Sequence, residues 1–395
     1  MGRLRTIGIV GAYGQTGTIL ARELARTEVG ELLLGGRSLE KAEALAASLG
    51  AVGRARPIDV FDTRALREFC SGCTIVVNCA GPSALIEDHV AIAAMEAKAH
   101  YVDCGLTLGL PARLSGCSAE IARRGLVFAV SVGYVPGISE VLLRYVSQVA
   151  ARRRADVDAL EIYVVDRNEW SLNSFHTTVE KFCFRPLRVG RFRGGAWAPE
   201  RPSTARKEFR FPEPFGLEST LPVYFPQLGK LALETKAQEL AFYVPIGRQF
   251  AVLRRIAQVL FRRNTERAAA LARFAFRTHG RLYGSGGVLV AVARGKFGGK
   301  DWRLTGTIRV PVGDHYSLVG KAAAATVRLI MQSRHAVPGC NYLGDALDAT
   351  AFMNELATFG VRPELRELPS AVDAISAWIA DRYRGPHDLH GERSA

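Results

Sequence analysis

A chain of 395 residues is too long for one compact hydrophobic core, so about two domains are expected. Hydrophobic residues make up 48% of the chain and charged residues 23%, and no apolar run is long enough to span a bilayer, which excludes an integral membrane protein. With no signal peptide recognised, the expected location is cytoplasmic. Seven irregularly spaced cysteines favour reduced thiols, and the single C-x-x-C pair of Cys70 and Cys73 is too little for a zinc site, so no metal is expected.

The first apolar strand leads into a glycine-rich turn. Gly11, Gly14 and Gly17 are spaced at intervals of three, and a helical pattern begins at Thr18. Such a turn directs backbone N–H groups and the positive end of a helix dipole at one point, where a dinucleotide pyrophosphate binds. The spacing is GxxGxxG, so the GxGxxG fingerprint is only loosely met. The predicted cofactor contacts in this turn are Gly11, Tyr13, Gly14, Gln15, Thr16 and Gly17.

The second strand ends in Gly35-Gly36-Arg37-Ser38, where an NAD enzyme usually carries an acidic residue that binds the ribose. Arg37, Ser38 and Lys41 instead offer two cations and a hydroxyl, which suit a 2′-phosphate. This favours NADP(H) over NAD. The alternative is that Arg37 and Lys41 are solvated charges and that Ser38 only caps a helix.

Strands and helices alternate through the first 130 residues, which predicts a parallel sheet covered on both faces. The fold class is therefore α/β, with a doubly wound (Rossmann) sheet whose ligands bind at the carboxyl ends of the strands. The predicted strands are 6–11, 31–35, 55–59, 74–79, 100–103 and 126–130, and the predicted helices are 17–26, 39–49, 63–70, 87–98, 112–124 and 139–150.

The residues that follow these strands are candidates for the site. Asp59 either accepts a hydrogen bond from adenine or has a capping role, and Asp62 is expected to cap a helix. After the fourth strand, small residues leave room for the nicotinamide half of a cofactor. The contacts expected there are Asn78, Ala80, Gly81 and Pro82.

These motifs together resemble the saccharopine dehydrogenase-like NADP-dependent oxidoreductases. The resemblance covers about the first 145 residues well and residues 310–361 moderately. It rests on the glycine turn, Gly35 to Ser38, Asn78 to Ser83, Tyr101-Val102-Asp103, Gly133 to Gly137, His315 to Lys321, Pro338 to Asn341 and a helix at 349–359.

The resemblance implies a cofactor domain at residues 1–133, completed by C-terminal helices at 315–395, with an α+β substrate or oligomerisation domain inserted at 134–314. It also implies biosynthetic hydride transfer to an imine formed from an amine or amino acid and an oxo compound, or the reverse, in a homodimer. Other members of the family reduce enoyl groups, so the resemblance supports the cofactor more firmly than the reaction.

The middle of the chain is strongly basic, with 20 Lys or Arg and 7 Asp or Glu between residues 181 and 281. Strands are predicted at 157–165, 205–211, 240–244, 287–294 and 303–310, with long connections filling 185–230. A basic helical stretch at 247–279 either packs on the substrate sheet or docks an acidic carrier protein or a membrane surface. Nucleic acid is not an expected partner. A last amphipathic helix is predicted at 370–383, followed by a disordered tail.

Hydride transfer needs a proton donor close to the nicotinamide. The candidates are Asp103, Tyr101 and Tyr134 at strand ends, and His176 on a helix over the cleft. Three functions remain open: an NADPH-dependent imine reductase acting on a small, possibly carboxylated molecule, a reductase of carrier-bound enoyl or keto groups in a secondary pathway, and a non-enzymatic NADP sensor. Charge reversal at Arg254, Arg255, Arg262 and Arg263 would test the second.

Overall fold

The computed structural model has two sheets joined by a long helix and packed against each other through one continuous hydrophobic core. In the described part of the chain, no helix has both the length and the apolar character needed to cross a bilayer. The structure describes residues 5–369 except 28, 185–186, 247–254, 257, 260, 262–263, 284 and 334.

The first sheet has seven strands, and every strand pair in it is parallel. The strands are β1 (Thr6–Val10), β2 (Glu31–Gly36), β3 (Gly53–Pro57), β4 (Ile75–Asn78), β5 (His100–Asp103), β6 (Val127–Val130) and β15 (Gly339–Tyr342), numbered in chain order. Their order in space is β15-β6-β5-β4-β1-β2-β3, with the reversal between β1 and β4 that defines a doubly wound sheet.

Both faces of this sheet are covered, because side chains alternate along each strand and both sets are apolar. Ile7 and Ile9 belong to the core on one face, whereas Val10 belongs to the core on the other. The covering helices are α1 (Gln15–Ala25), α2 (Leu39–Ser48), α3 (Thr63–Ser71), α4 (Ser83–Ile86), α5 (His89–Glu96), α6 (Leu110–Arg113) and α7 (Ser115–Arg123), with a 3₁₀ turn at Gly50–Val52.

The chain leaves the first sheet through α8 (Ile138–Arg152) and enters a nine-stranded mixed sheet. Its strands are β7 (Asp156–Asp166), β8 (Gly190–Arg193), β9 (Ala196–Pro199), β10 (Lys207–Arg210), β11 (Leu217–Pro222), β12 (Glu239–Pro245), β13 (Gly287–Phe297), β14 (Lys300–Val310) and β16 (Glu364–Pro369). The main order is β10-β11-β12-β7-β13-β14-β16, with β8 and β9 as a side arm on β12, and β7 pairs with β12 in parallel. This sheet packs in the same hydrophobic core as α8, through residues that include Leu160, Ile162 and Leu289.

The remaining helices are α9 (Leu172–Thr178), which continues into a π-helical turn at Val179–Cys183, α10 (Pro202–Ala205), α11 (Leu228–Thr235), α12 (Thr265–Tyr283), α13 (His315–Met331), α14 (Leu343–Ala346) and α15 (Ala349–Thr358). Helix α13 lies against α1, where a Cβ on Gly320 would be 2.7 Å from Cγ2 of Ile19. The absence of a side chain at Gly320 therefore allows α13 to approach α1 closely.

The predicted fold class is confirmed, and all six predicted strands of the first sheet are present within two residues of their expected bounds. Three details of the sequence reading were wrong. The expected helix at 112–124 is divided into α6 and α7. The seventh strand, β15, was not predicted. The stretch at 185–230 was expected to hold one strand, at 205–211, and otherwise connections. That strand is present as β10, but the described residues of the stretch also contain β8, β9, β11, α10 and the start of α11.

The C-terminal part of the chain is not entirely helical. After α15, β16 pairs with β14 in the second sheet, with Thr305 opposite Arg366. The predicted helix at 370–383 and the predicted disordered tail lie outside the described residues. So do Arg248, Phe250, Leu253, Arg254, Leu260, Arg262 and Arg263 of the predicted basic helix. Its described continuation, α12, packs on α9 through Ala268, Ala269 and Phe276.

Candidate functional site

The glycine turn after β1 is built on close backbone contacts. Gly11 has a φ of 75°, and a Cβ there would lie 2.7 Å from the backbone N of Ala80. A Cβ on Gly17 would lie 2.4 Å from the carbonyl oxygen of Gly11. Helix α1 starts directly after Gly14, and Gly14, Gln15 and Thr16 line a cavity. Because the first N–H groups of a helix have no partner within it, this cradle suits a pyrophosphate.

Tyr13 connects the glycine turn to the end of β2. Its hydroxyl accepts a hydrogen bond from the backbone N–H of Ser38 at 2.9 Å. Its ring fills the space beside Gly36, where a Cβ would lie 2.3 Å from the Cε1 atom of Tyr13. The turn and the β2–α2 loop therefore form one unit.

The predicted 2′-phosphate site lies at the start of α2. Ser38 is the N-cap, and its side chain accepts from the backbone N–H of Lys41 at 3.3 Å, so the capping interpretation holds. Arg37 and Lys41 are both exposed beside this helix terminus. Two cations at a helix N-terminus suit a phosphate, and capping by Ser38 is compatible with that role.

Asp59 and Asn78 follow β3 and β4. Asp59 is exposed and accepts from the backbone N–H of Phe61 at 3.0 Å, which makes a local turn, while Asp62 caps α3 as predicted. Asn78 is buried and accepts from the backbone N–H of Ala80 at 3.1 Å. Asn78 thereby shapes the segment in which Ala80, Gly81 and Pro82 line the cavity.

Asp103 and Tyr101 lie beneath the cavity and not on its wall. Both are fully buried, and the Tyr101 hydroxyl donates to Asp103 Oδ2 at 2.5 Å. Asp103 Oδ1 also accepts from the backbone N–H of Gly105 at 2.6 Å. Burial raises the pKa of the Asp103 carboxyl and of the Tyr101 hydroxyl. The structure thus does not bring these two candidate catalytic groups to the cavity surface, because their polar atoms are used to hold the turn at Gly105.

Tyr134 does line the cavity. Its hydroxyl donates to the carbonyl oxygen of Val165 at 3.4 Å, and burial raises its pKa, with a further contribution from Asp166. His176 is half-buried on α9 and does not line the cavity, although its neighbours Ser174 and Thr177 do. Of the four catalytic candidates, the structure therefore places only Tyr134 at the cavity surface.

The cavity has a volume of about 490 Å³ and lies between the two sheets. The first domain contributes the start of α1 and the turns after β4 and β5 to its wall, and the second contributes the ends of β7 and β12 with α9 and α12. Its apolar side chains include Leu106, Val135, Val164, Leu187, Val223, Phe225, Val244, Ile246, Phe276 and Val319.

Among the polar residues of this wall that were not predicted as site residues are Asp166 and His315. Asp166 ends β7 and accepts from the backbone N–H of Asn168 at 2.9 Å and from Trp170 Nε1 at 2.9 Å. Burial raises the pKa of the Asp166 carboxyl. His315 opens α13. The signal available in the sequence for Asp166 is its place directly after the predicted strand at 157–165.

In the part of the chain that the structure describes, no group of three or more His, Cys, Asp or Glu could hold a metal ion. Cys70 and Cys73 are buried, and burial raises the pKa of each thiol to about 12. Both side chains belong to the core under the first sheet. They are therefore packing residues.

Comparisons with known proteins agree with this geometry. Residues 7–122 match the family model described as the saccharopine dehydrogenase NADP binding domain. No curated protein sequence matches the chain. Among solved structures, the chain is similar to apo saccharopine dehydrogenase (L-Glu forming) from Saccharomyces cerevisiae, with a TM-score of 0.67 and 15% identity over 92% of this chain and 100% of that one.

A probable dehydrogenase from Thermotoga maritima also matches, with a TM-score of 0.49 and 10% identity over 92% of this chain and 98% of that one. The cofactor is NADP(H), as the domain at 7–122 is an NADP-binding domain, and the glycine turn and the start of α2 fit it. The predicted resemblance is confirmed: residues 7–122 match the saccharopine dehydrogenase NADP-binding domain, and this match supports an NADP-dependent oxidoreductase.

Proposed function

We propose that this protein uses NADPH to reduce an enoyl or keto group carried on an apolar chain. The observation that supports this is the composition of the cavity wall. Asp166 is the only side chain among its described residues that is normally ionised, and neither Lys nor Arg occurs among them. The carboxylate of an amino-acid substrate would need a cationic partner once it is buried, so this wall suits an uncharged acyl chain better than an amino acid.

Bound NADPH supplies the hydride, and the chain holds the acceptor. The cofactor contacts that we propose are the glycine turn, Arg37, Ser38, Lys41, Asp59 and the segment from Asn78 to Pro82. Ala80 and Gly81 leave open space: a Cβ on Gly81 would come no closer than 3.7 Å to another heavy atom, in Asn173. The nicotinamide fits this open region. Apolar residues such as Val244 and Phe276 then exclude water from the reacting carbons.

A second candidate is reduction of an imine, and one observation favours it. The Asp166 carboxylate lies on the wall, held by Asn168 and Trp170, where it can pair with a protonated imine nitrogen. The described wall offers no cation for the carboxylates of an amino-acid-derived imine. The imine candidate is therefore one derived from an apolar amine.

The test compares NADPH consumption with four acceptors: an enoyl thioester of N-acetylcysteamine, the corresponding keto thioester, an apolar amine with a ketone, and an amino acid with an oxo acid. We expect the thioesters to react and kcat/KM to rise with chain length. Turnover with the amine and ketone alone supports the second candidate. NADPH binding without turnover on any acceptor contradicts both and leaves an NADP sensor.

A matched pair of variants tests the role of the apolar wall. Val244→Asp places a charge in the cavity, whereas Leu217→Asp places one on a side chain that is 54% exposed at the start of β11. We expect Val244→Asp to lower kcat/KM for a long thioester at least tenfold, because a carboxylate there opposes burial of the chain. The affinity of Val244→Asp for NADPH should remain at the wild-type level, and so should kcat/KM of the Leu217→Asp variant. Equal losses in both variants would contradict an apolar substrate.

A further inference from the structure

His315 is a buried imidazole on the wall of the cavity that has no hydrogen-bond partner. The residue is 6% exposed, and among the described residues neither Nδ1 nor Nε2 has a partner. Buried polar side chains are nearly always satisfied, so an orphaned pair of ring nitrogens beside a ligand cavity needs an explanation. One explanation is a bound ligand that supplies the missing hydrogen-bond partner.

The backbone on both sides of His315 is held in place. The backbone N–H of Gly313 donates to Asn168 Oδ1 at 2.9 Å. The hydroxyl of Tyr316 accepts from the backbone N–H of Ser171 at 2.7 Å and lies 3.1 Å from Ser174 Oγ. The first turn of α13 is thus fixed to the second domain through its neighbours, while the His315 ring stays unpaired.

His315 borders the cavity in which we propose that both the cofactor and the substrate bind. Helix α13 packs beside α1 at Gly320, and the first turns of both helices border the same cavity, with Gln15 and Thr16 on one and His315 and Tyr316 on the other. The Cβ–Cγ torsion of histidine has a broad energy well. A small rotation can therefore turn a ring nitrogen towards the space on which the ring already borders.

The chemistry of the ring selects an uncharged partner. Burial lowers the pKa of His315 to about 4, so the imidazole is neutral near pH 7. A neutral ring carries one N–H donor and one acceptor. It gives no ionic attraction for a phosphate or a carboxylate, and an uncharged carbonyl oxygen is the acceptor that fits an apolar cavity.

We propose that the His315 imidazole donates a hydrogen bond to an uncharged carbonyl oxygen of the ligand held in this cavity. Two groups share that chemistry, namely the carbonyl next to the reducible bond of the substrate and the carboxamide of the nicotinamide ring. The inference rests on the proposed function for the first source and on the NADP-binding domain for the second.

The test follows the His315 ring nitrogens by NMR in protein labelled with ¹⁵N-histidine, with the His315→Phe variant used for assignment. Three ligand states are compared: 2′-phospho-ADP-ribose, NADP⁺, and NADP⁺ with a trans-2-decenoyl thioester of N-acetylcysteamine. The last pair cannot react, since both components are already oxidised. A shift of a neutral ring that first appears with NADP⁺ identifies the carboxamide, and one that first appears with the thioester identifies the substrate.

Calorimetry on variants supplies the second readout. His315→Phe should weaken binding of whichever ligand shifts the ring about tenfold, since one buried hydrogen bond is lost. His315→Gln, which keeps a donor, should recover part of that loss, and both should bind 2′-phospho-ADP-ribose like the wild type. His89→Phe is the control, because its Nδ1 lies 2.7 Å from the Ile86 carbonyl oxygen, outside the cavity.

The proposal is overturned if the ring responds to none of the three states, or if 2′-phospho-ADP-ribose alone shifts a charged ring. It is also overturned if His315→Phe binds every ligand like the wild type. Absence of NADPH turnover with a normal ring response would reject the proposed reaction and leave the role of His315 intact. The two failures are therefore distinguishable.

Discussion

The Tyr13 hydroxyl accepts a hydrogen bond from the backbone N–H of Ser38 across 25 residues of sequence, at 2.9 Å. This contact joins the turn that suits a pyrophosphate to the loop that suits a 2′-phosphate. Gly36 makes the contact possible, because any side chain there would overlap the ring of Tyr13. The two phosphate sites are therefore expected to respond together to substitutions in either loop.

Gly36→Ala tests this connection. The added Cβ would lie 2.3 Å from the Tyr13 ring, so the ring must move and the Ser38 contact must break. We expect a loss of about 1–3 kcal/mol in the free energy of unfolding, from overpacking, and at least tenfold weaker NADP⁺ binding by calorimetry. Gly72→Ala is the matched control, because a Cβ there has no heavy atom within 4 Å and the backbone φ is −89°. Wild-type affinity in Gly36→Ala would contradict the expected link.

Arg37→Asp tests the choice of cofactor. An acid at this position repels a 2′-phosphate and can accept from a ribose hydroxyl, so NADP⁺ affinity should fall at least tenfold while NAD⁺ affinity holds or rises. Arg362→Asp, at another exposed arginine, is the control. Both affinities can be measured by calorimetry at constant salt. A parallel loss of NAD⁺ and NADP⁺ binding would show that Arg37 does not read the phosphate.

Tyr101→Phe separates a positioning role from a catalytic one. The Tyr101 hydroxyl is a hydrogen-bond donor to the buried Asp103 at 2.5 Å, and the variant removes it. The free energy of unfolding should therefore fall by about 1–3 kcal/mol. Tyr163→Phe is a matched variant, because that buried hydroxyl donates to Glu161 at 2.9 Å in the second sheet. If the loss of kcat in Tyr101→Phe exceeds a hundredfold with unchanged stability, Tyr101 acts in catalysis and not through the Gly105 turn.

Glu140 should make stability depend on pH. Burial raises the pKa of this carboxyl from 4.5 to about 7. Because the folded-state pKa is the higher one, the stabilisation is complete below about pH 4.5 and is lost as the pH rises through about 7. Relative to Glu140→Gln, the wild type should lose up to about 3 kcal/mol across this window in urea unfolding. Glu43→Gln, at an exposed site on α2, is the control for the substitution itself.

The first sheet was predictable because its strands are short apolar runs with helical patterns between them, and each connection is local. Strand β15 escaped notice because it is four residues long and begins at Gly339, and only its pairing with β6 makes it a strand. The side arm of β8 and β9 was missed for a related reason. Its two strands are four residues each, and β8 carries two arginines, one of which, Arg193, pairs with Glu200 just after β9 at 2.7 Å, so the apolar signal is too short to predict a strand.

The cofactor half of the candidate site followed from sequence because its residues lie just after consecutive strands. The other half could not be assembled in the same way. Asp166 and His315 are 149 positions apart, and both line the cavity only because β7 ends and α13 begins at its wall. Asp103, the last residue of β5, is fully buried, whereas Tyr134, four residues beyond the end of β6, lies on the cavity wall, and the sequence does not distinguish these two outcomes.

The pairing of β15 with β6 also limits how far this protein can be divided. All four residues of Val127–Val130 are buried, and β15 covers their outer backbone edge. A fragment that stopped after β6 would present that edge, apolar and unpaired, to other molecules, and such edges promote aggregation. The nucleotide-binding portion therefore needs β15, which lies more than two hundred positions downstream of β6. It should be studied only as part of the whole chain.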